Sequence, residues 1–202
     1  MIEFLDTTAP AFAEFAVTSN FSFLRGASHP EEMVAAAAAL GYAGIGIADR
    51  NSLAGVVRAH VHAREHTSPM RVVTGARLVF NDLTPDILAY PRDRAAYGRL
   101  ARLLTLGNRR AIKGDCELGL ADVLAHAEGL QLIVMPTADG DGEHRALAAL
   151  TKAGASLWLA ASLTYGTHMR KSLMQRKALA QQHNLPLIAT NDVVMHEPSR
   201  RA

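Results

Sequence analysis

Five charged residues of this sequence lie within or just behind short apolar runs, where a folded chain most often presents its chemistry. Asp49 and Arg50 follow GIGIA at 44–48, Arg77 falls inside RVVTGARLVF at 71–80, and Asp192 follows PLIAT at 186–190. Arg25 comes shortly after FAVTS at 15–19, and His196 stands four residues beyond Asp192. Brought together, two carboxylates and an imidazole could ligate a metal ion that activates water. Three guanidinium groups could instead hold a phosphate or neutralise the carboxylates. The plain structural reading is that Asp49 and Asp192 cap the turns that follow them while the arginines face solvent.

Other catalytic chemistries find no support. The sequence has no glycine loop ending in Lys-Ser or Lys-Thr, no Gly-x-Gly-x-x-Gly behind its first strand, and no Gly-x-Ser-x-Gly elbow. The single cysteine, Cys116, excludes an internal disulfide and a cysteine-rich zinc site, and fits a reducing cytosol. Nine histidines could supply a metal centre, but most are not placed for one. His62 and His66 share a helix face, yet RAHVHAREH reads as a solvated surface. His126, His144, His168 and His183 are isolated on expected helices, and His29 beside Pro30 reads as structural.

The elements that must position these groups follow from periodicity. Strands are expected at 15–19, 44–48, 71–80, 86–90, 130–135, 156–160 and 186–190, with amphipathic stretches near 52–66, 92–106, 119–128, 142–153 and 168–183 as helices. The first helix is marked by EEMVAAAAAL, with Ser28 and Glu31 as a capping box, Pro30 in the first turn and Gly41 behind it. Such alternation, with near-continuous apolar strands, predicts parallel strands covered by helices. It leaves open a doubly wound sheet or a closed barrel, and in both the chemistry sits at the carboxyl ends of the strands.

Composition agrees with one globular domain. The 202 residues are 49% hydrophobic and 20% charged, within the size of one core and far from disorder. A net charge of +2 is too balanced for a nucleic-acid coat, so any DNA contact is local or indirect. The N-terminus MIEFLDTTAP has no basic, apolar leader, and no apolar run is long enough for a membrane span. We expect a cytoplasmic protein with no membrane contact.

Three segments carry a resemblance. SNFSFLRGASHPEE at 19–32, SLAGVVRAHVHARE at 52–65 and ATNDVVMHEPSRR at 189–201 resemble the N-terminal PHP (polymerase and histidinol phosphatase) domain of bacterial family-C DNA polymerases. The likeness is greatest to the error-prone, damage-inducible branch. It divides the chain into an N-terminal segment, 1–14, and a PHP domain, 15–202. It implies a distorted (β/α)7 barrel of parallel strands with outer helices, which decides between the two architectures.

Active PHP domains carry His-x-His at the end of the first strand, Asp-His after the second, Glu on the third and Asp-x-His after the last, and these bind metal ions. The matching positions here are Ala16 and Thr18, Asp49 and Arg50, Arg77, then Asp192 and Val194. Alanine and valine offer no lone pair, and an arginine brings a fixed charge where a ligand is needed. The resemblance therefore implies a degenerate site with no catalytic residue and no bound metal. Arg25, Arg50, Arg77 and His196 remain as candidate anion or ion-pair contacts. Arg50 or Arg77 is expected to pair with Asp49 or Asp192 as a surrogate for the lost ion.

The parent family polymerises DNA through a palm and fingers that lie downstream of the PHP domain. This chain stops about where that domain ends, so it is not expected to polymerise DNA alone, although Met1 suggests a natural start. The implied role is structural, within a translesion polymerase. Its partners are the remainder of the polymerase in cis and replication or translesion accessory proteins, with DNA reached only indirectly. The rival reading is a phosphoesterase or 3′–5′ exonuclease using Zn, Mn or Mg; a third is a free-standing phosphate-binding module.

Overall fold

The apolar runs become the staves of one seven-stranded sheet. The computed structural model describes residues 11–66, 70–137, 140–162 and 169–200. In chain order the elements are β1 (Ala13–Val17), α1 (Pro30–Ala39), β2 (Gly44–Arg50), α2 (Ala54–Glu65), β3 (Arg71–Leu78), β4 (Ile87–Pro91), α3 (Arg94–Arg110), α4 (Leu120–His126), β5 (Leu130–Val134), α5 (Gly140–Lys152), β6 (Ser156–Ser162), α6 (Met169–Gln182) and β7 (Leu187–Thr190). The strands lie in sequence order from β1 to β7. Behind β7 the chain returns to β1: Thr18 N donates to Val193 O at 2.9 Å and Val193 N to Ala16 O at 2.8 Å, a parallel bridge that nearly closes the barrel.

One strand departs from the expected parallel arrangement. β4 runs antiparallel to both β3 and β5, whereas the other pairs are parallel. A parallel crossover needs a dozen or more residues, usually with a helix, and the connection from Leu78 to Ile87 has neither. This reversal puts the first residue of β4, not its last, at the end of the barrel where β2 and β3 finish.

Alternation along the strands divides the core. Ala16, Ala48, Leu88, Ile133, Met135 and Ala160 join Tyr90 in one buried cluster. Their neighbours face outward, Ile45 and Ile47 towards Met33, Val34 and Val56, and Leu132 and Val134 among the leucines of α3 and α5. The Tyr90 ring explains two glycines. A Cβ at Gly46 would lie 2.5 Å from Tyr90 Oη, and one at Gly75 would lie 2.3 Å from Tyr90 Cε1. Gly46, the second glycine of the Gly-x-Gly in β2, is thus a packing device. Burial raises the Tyr90 pKa well above normal, reinforced by Glu14, so its hydroxyl stays protonated and donates to Phe15 O.

The first helix starts one residue later than its sequence signal. Pro30 takes the first helical position, its favoured place, which makes His29 the cap; His29 N donates to Glu32 Oε2 at 2.8 Å. Ser28 is thereby released for another partner, described below. Among the described residues no helix is long and apolar enough to cross a membrane.

Candidate functional site

Arg77, near the end of β3, is the centre of the barrel mouth. Its Nε donates to Asp86 Oδ2 at 2.8 Å and its Nη1 to Asp192 Oδ1 at 2.7 Å. Arg50, at the end of β2, reaches the same Asp86 oxygen at 3.6 Å. Burial pulls the Arg77 pKa down, but hydrogen bonds and attraction to Asp192 and Asp86 outweigh it, and the net shift is upward. Burial lowers the Arg50 pKa, opposed by Asp86 and aided by the neighbouring Arg25 and Arg77 charges. The result is an ion-pair chain, Asp192–Arg77–Asp86–Arg50, across the ends of four strands.

Asp49 stands apart from this chain. It is 1% exposed, and no arginine pairs with it among the described residues. Its Oδ1 accepts from Ser19 N at 2.8 Å and Ser22 Oγ at 2.7 Å, and its Oδ2 from Ser19 Oγ at 2.8 Å. Ser22 Oγ also accepts from Arg50 N at 2.9 Å. The carboxylate therefore ties the loop behind β1 to the end of β2. Gly55 leaves it room, since a Cβ there would fall 2.3 Å from Asp49 Oδ2. Beyond this anchor the loop carries Phe23 and Leu24, 86% and 89% exposed, with Leu24 held at φ 60°. A left-handed backbone is costly for leucine, so the turn is held by its hydrogen bonds.

The remaining positions do structural work. Ala16 and Thr18 bond to the Val193 backbone, and Val194 O accepts from Ala27 N at 2.8 Å. His196 lies outside the ion-pair chain: its Nδ1 is 2.7 Å from Ser28 Oγ, which also accepts from His196 N at 3.0 Å. The Arg25 side chain is exposed and makes no ion pair or side-chain hydrogen bond among the described residues. His62 and His66 stack at 4.0 Å, while His144 Nδ1 and His183 Nε2 approach to 3.1 Å, so those two are not isolated. His168 lies outside the described residues.

Sequence reasoning missed two carboxylates. Asp86 was hidden by the reversal of β4, because a parallel strand would carry its first residue to the opposite end. Glu14, only 1% exposed, closes the seam between β1 and β7. Its Oε1 accepts from Ala16 N at 2.8 Å and from Thr190 Oγ1, and its Oε2 from Asn191 N at 2.7 Å. The register of β1 on β2 slips between Glu14 and Val17, which frees the Ala16 amide for that bond. A lone acid inside AEFAV was the available signal.

The donor set does not fit a metal centre of the kind this barrel implies. Among the described residues no three His, Cys, Asp or Glu side chains stand close enough to share an ion. Asp49 already accepts three hydrogen bonds from serine and amide donors, and Asp86 and Asp192 are bridged by a guanidinium.

Comparison with known proteins places the chain in context. Residues 14–162 match the profile of the PHP domain. An error-prone DNA polymerase from Rhodopseudomonas palustris is 48% identical over 96% of this chain, and one from Caulobacter vibrioides is 50% identical over 95%. The chain spans 18% of the length of each. An amidohydrolase structure from Chromobacterium violaceum, with bound sulfate and no metal, superposes with a TM-score of 0.66 at 15% identity, over 92% of this chain and 88% of the other. A protein from Bifidobacterium adolescentis assigned as a metal-dependent phosphoesterase gives 0.64 at 16% identity, over 93% and 89%. These two establish the barrel fold.

Proposed function

Since the chain belongs to the PHP domain family, we propose that it is the structural, non-hydrolytic PHP module of an error-prone DNA polymerase, with its former metal mouth locked by ion pairs. The observation that carries this reading is Arg77, whose guanidinium lies between Asp86 and Asp192 in the part of the mouth where ligands would be needed. A guanidinium holds its charge at every working pH and binds carboxylates through directed hydrogen bonds, so it neutralises the site without activating water.

The partner is the remainder of the polymerase, which in the matched relatives makes up the other four fifths of the chain. Phe23 and Leu24 support that assignment. Two large apolar side chains on a loop held rigid by Asp49 offer a preformed contact that the domain itself leaves uncovered. In that role the module would work in the cytoplasm beside replication or translesion accessory proteins and would reach damaged DNA as part of the polymerase, and the free Cys116 suits a reducing compartment.

The test is elemental analysis of the purified chain together with hydrolysis assays on a phosphodiester and a 3′-labelled oligonucleotide, with and without Mn²⁺ or Zn²⁺. We expect no stoichiometric ion, no metal-stimulated rate and no change of melting temperature on adding EDTA. One tightly held ion per chain, or a rate abolished by Asp192→Ala, would overturn the reading in favour of a phosphoesterase.

A further inference from the structure

The direct connection from β3 to β4 has a consequence on the outside of the barrel. Every other step between neighbouring strands carries at least one helix that covers the sheet. Here none is inserted, so α2 and α3 flank a groove of about 580 Å³. Its floor is the first half of β3, the half-buried Val72, Val73 and Thr74, together with Pro91 of β4.

The rim is basic. His60 and Arg64 lie one turn apart on α2, Arg71 opens β3, and Arg94 stands in the first turn of α3, all exposed. Among the described residues Arg64, Arg71 and Arg94 make no ion pair and no side-chain hydrogen bond. Asp93 also lines the groove, but its carboxylate is committed to α3, where Oδ1 accepts from Ala96 N at 2.8 Å. Glu65 of α2 faces the other way, into the cleft that holds Glu31 and Arg58. Three permanent cations around one concavity repel one another and attract an anion of repeating charge. Tyr97, 44% exposed at the same rim, adds an aromatic face.

We propose that this groove between α2 and α3 binds single-stranded nucleic acid, with Arg64, Arg71 and Arg94 on backbone phosphates and Tyr97 stacked on a base. Guanidinium forks match phosphate oxygens, and an aromatic platform beside them is the arrangement that accepts a strand without reading its sequence. The groove lies on the outer face of the barrel, away from the ion-paired mouth, and the assignment does not depend on what that mouth has lost.

Fluorescence anisotropy of a short labelled oligonucleotide titrated with the purified chain tests this. Neutralising three phosphates of a single strand should weaken binding about 20-fold between about 50 and 200 mM salt. The variant Arg64→Gln/Arg71→Gln/Arg94→Gln should bind weakly with a nearly flat salt dependence. Tyr97→Ala should lose about tenfold in affinity with the slope unchanged. All four side chains are exposed, so the variants should retain the parent's melting curve, and that is measured alongside. The proposal is overturned by absence of binding, by a triple variant that binds like the parent, or by loss of binding only in Arg102→Gln/Arg109→Gln elsewhere on α3. Equal affinity for a polyglutamate peptide would assign the groove to an acidic protein and overturn it as well.

Discussion

Arg77 and Asp192 are 115 positions apart in the chain and 2.7 Å apart in space, joining the third strand of the barrel to the segment behind its last. The pair is half-buried, with the Asp192 side chain 38% exposed, so solvent screening limits what it contributes. Asp192→Ala should cost about 1 kcal/mol or less. Arg77→Ala also strips Asp86 of its nearer cation and should cost about 2 kcal/mol, between the exposed and buried limits. A double-mutant cycle read by urea unfolding checks the coupling, expected at about 1 kcal/mol.

The Asp49 anchor should matter more. Asp49→Ala leaves the Ser19 amide and two serine hydroxyls without their acceptor in a buried site, a loss of about 3 kcal/mol. For a domain of this size that corresponds to about 6–12 °C in melting temperature. Gly55→Ala is the companion test. Alanine is the better helix former, yet its Cβ would press on the Asp49 carboxylate, so thermal denaturation should show destabilisation.

A second ion pair lies deep between helices and sheet. Arg176 of α6 binds Glu143 of α5 and donates from Nε to Ala160 O at 2.9 Å and from Nη2 to Val134 O at 3.2 Å. Both side chains are under a tenth exposed. Arg176→Met should cost about 3–5 kcal/mol because it strands a buried carboxylate. Arg176→Met/Glu143→Leu should recover much of that loss, measured as the midpoint of guanidinium unfolding.

Acid should weaken the contact between α5 and the end of α6. Burial and the neighbouring His144 lower the His183 pKa from 6.5, with Glu143 opposing. The unfolded chain therefore takes up this proton first. The stability is fully present above pH 6.5 and is lost as pH falls below that value. His183→Asn should flatten the dependence, as compared by urea midpoints at about pH 5 and pH 7.5.

The strand pattern was legible because apolar periodicity reports burial directly, and each of the seven expected runs became a strand. Strand direction was not, since alternation suggests parallel pairing everywhere and only the short step from Leu78 to Ile87 reveals the reversal. Asp86 was lost with it. The convergence of Arg77 and Asp192 could be read from their places within and just behind apolar runs, whereas the serine partners of Asp49 could not. Hydroxyls declare no role until the backbone delivers them, and nothing in SNFSFLRG singles out Ser19 or Ser22 as partners of a carboxylate 30 and 27 positions further on.

The seam closed by Glu14, Thr190 and Val193 makes the first strand hostage to the last. During synthesis β1 leaves the ribosome long before its partner exists, and its outer edge waits, amides and carbonyls unpaired, while about 170 residues are added. An unpaired edge is a template for any passing strand. Truncation just before residue 187 would make that waiting state permanent, and the product to look for is a swapped dimer or an aggregate rather than an open monomer.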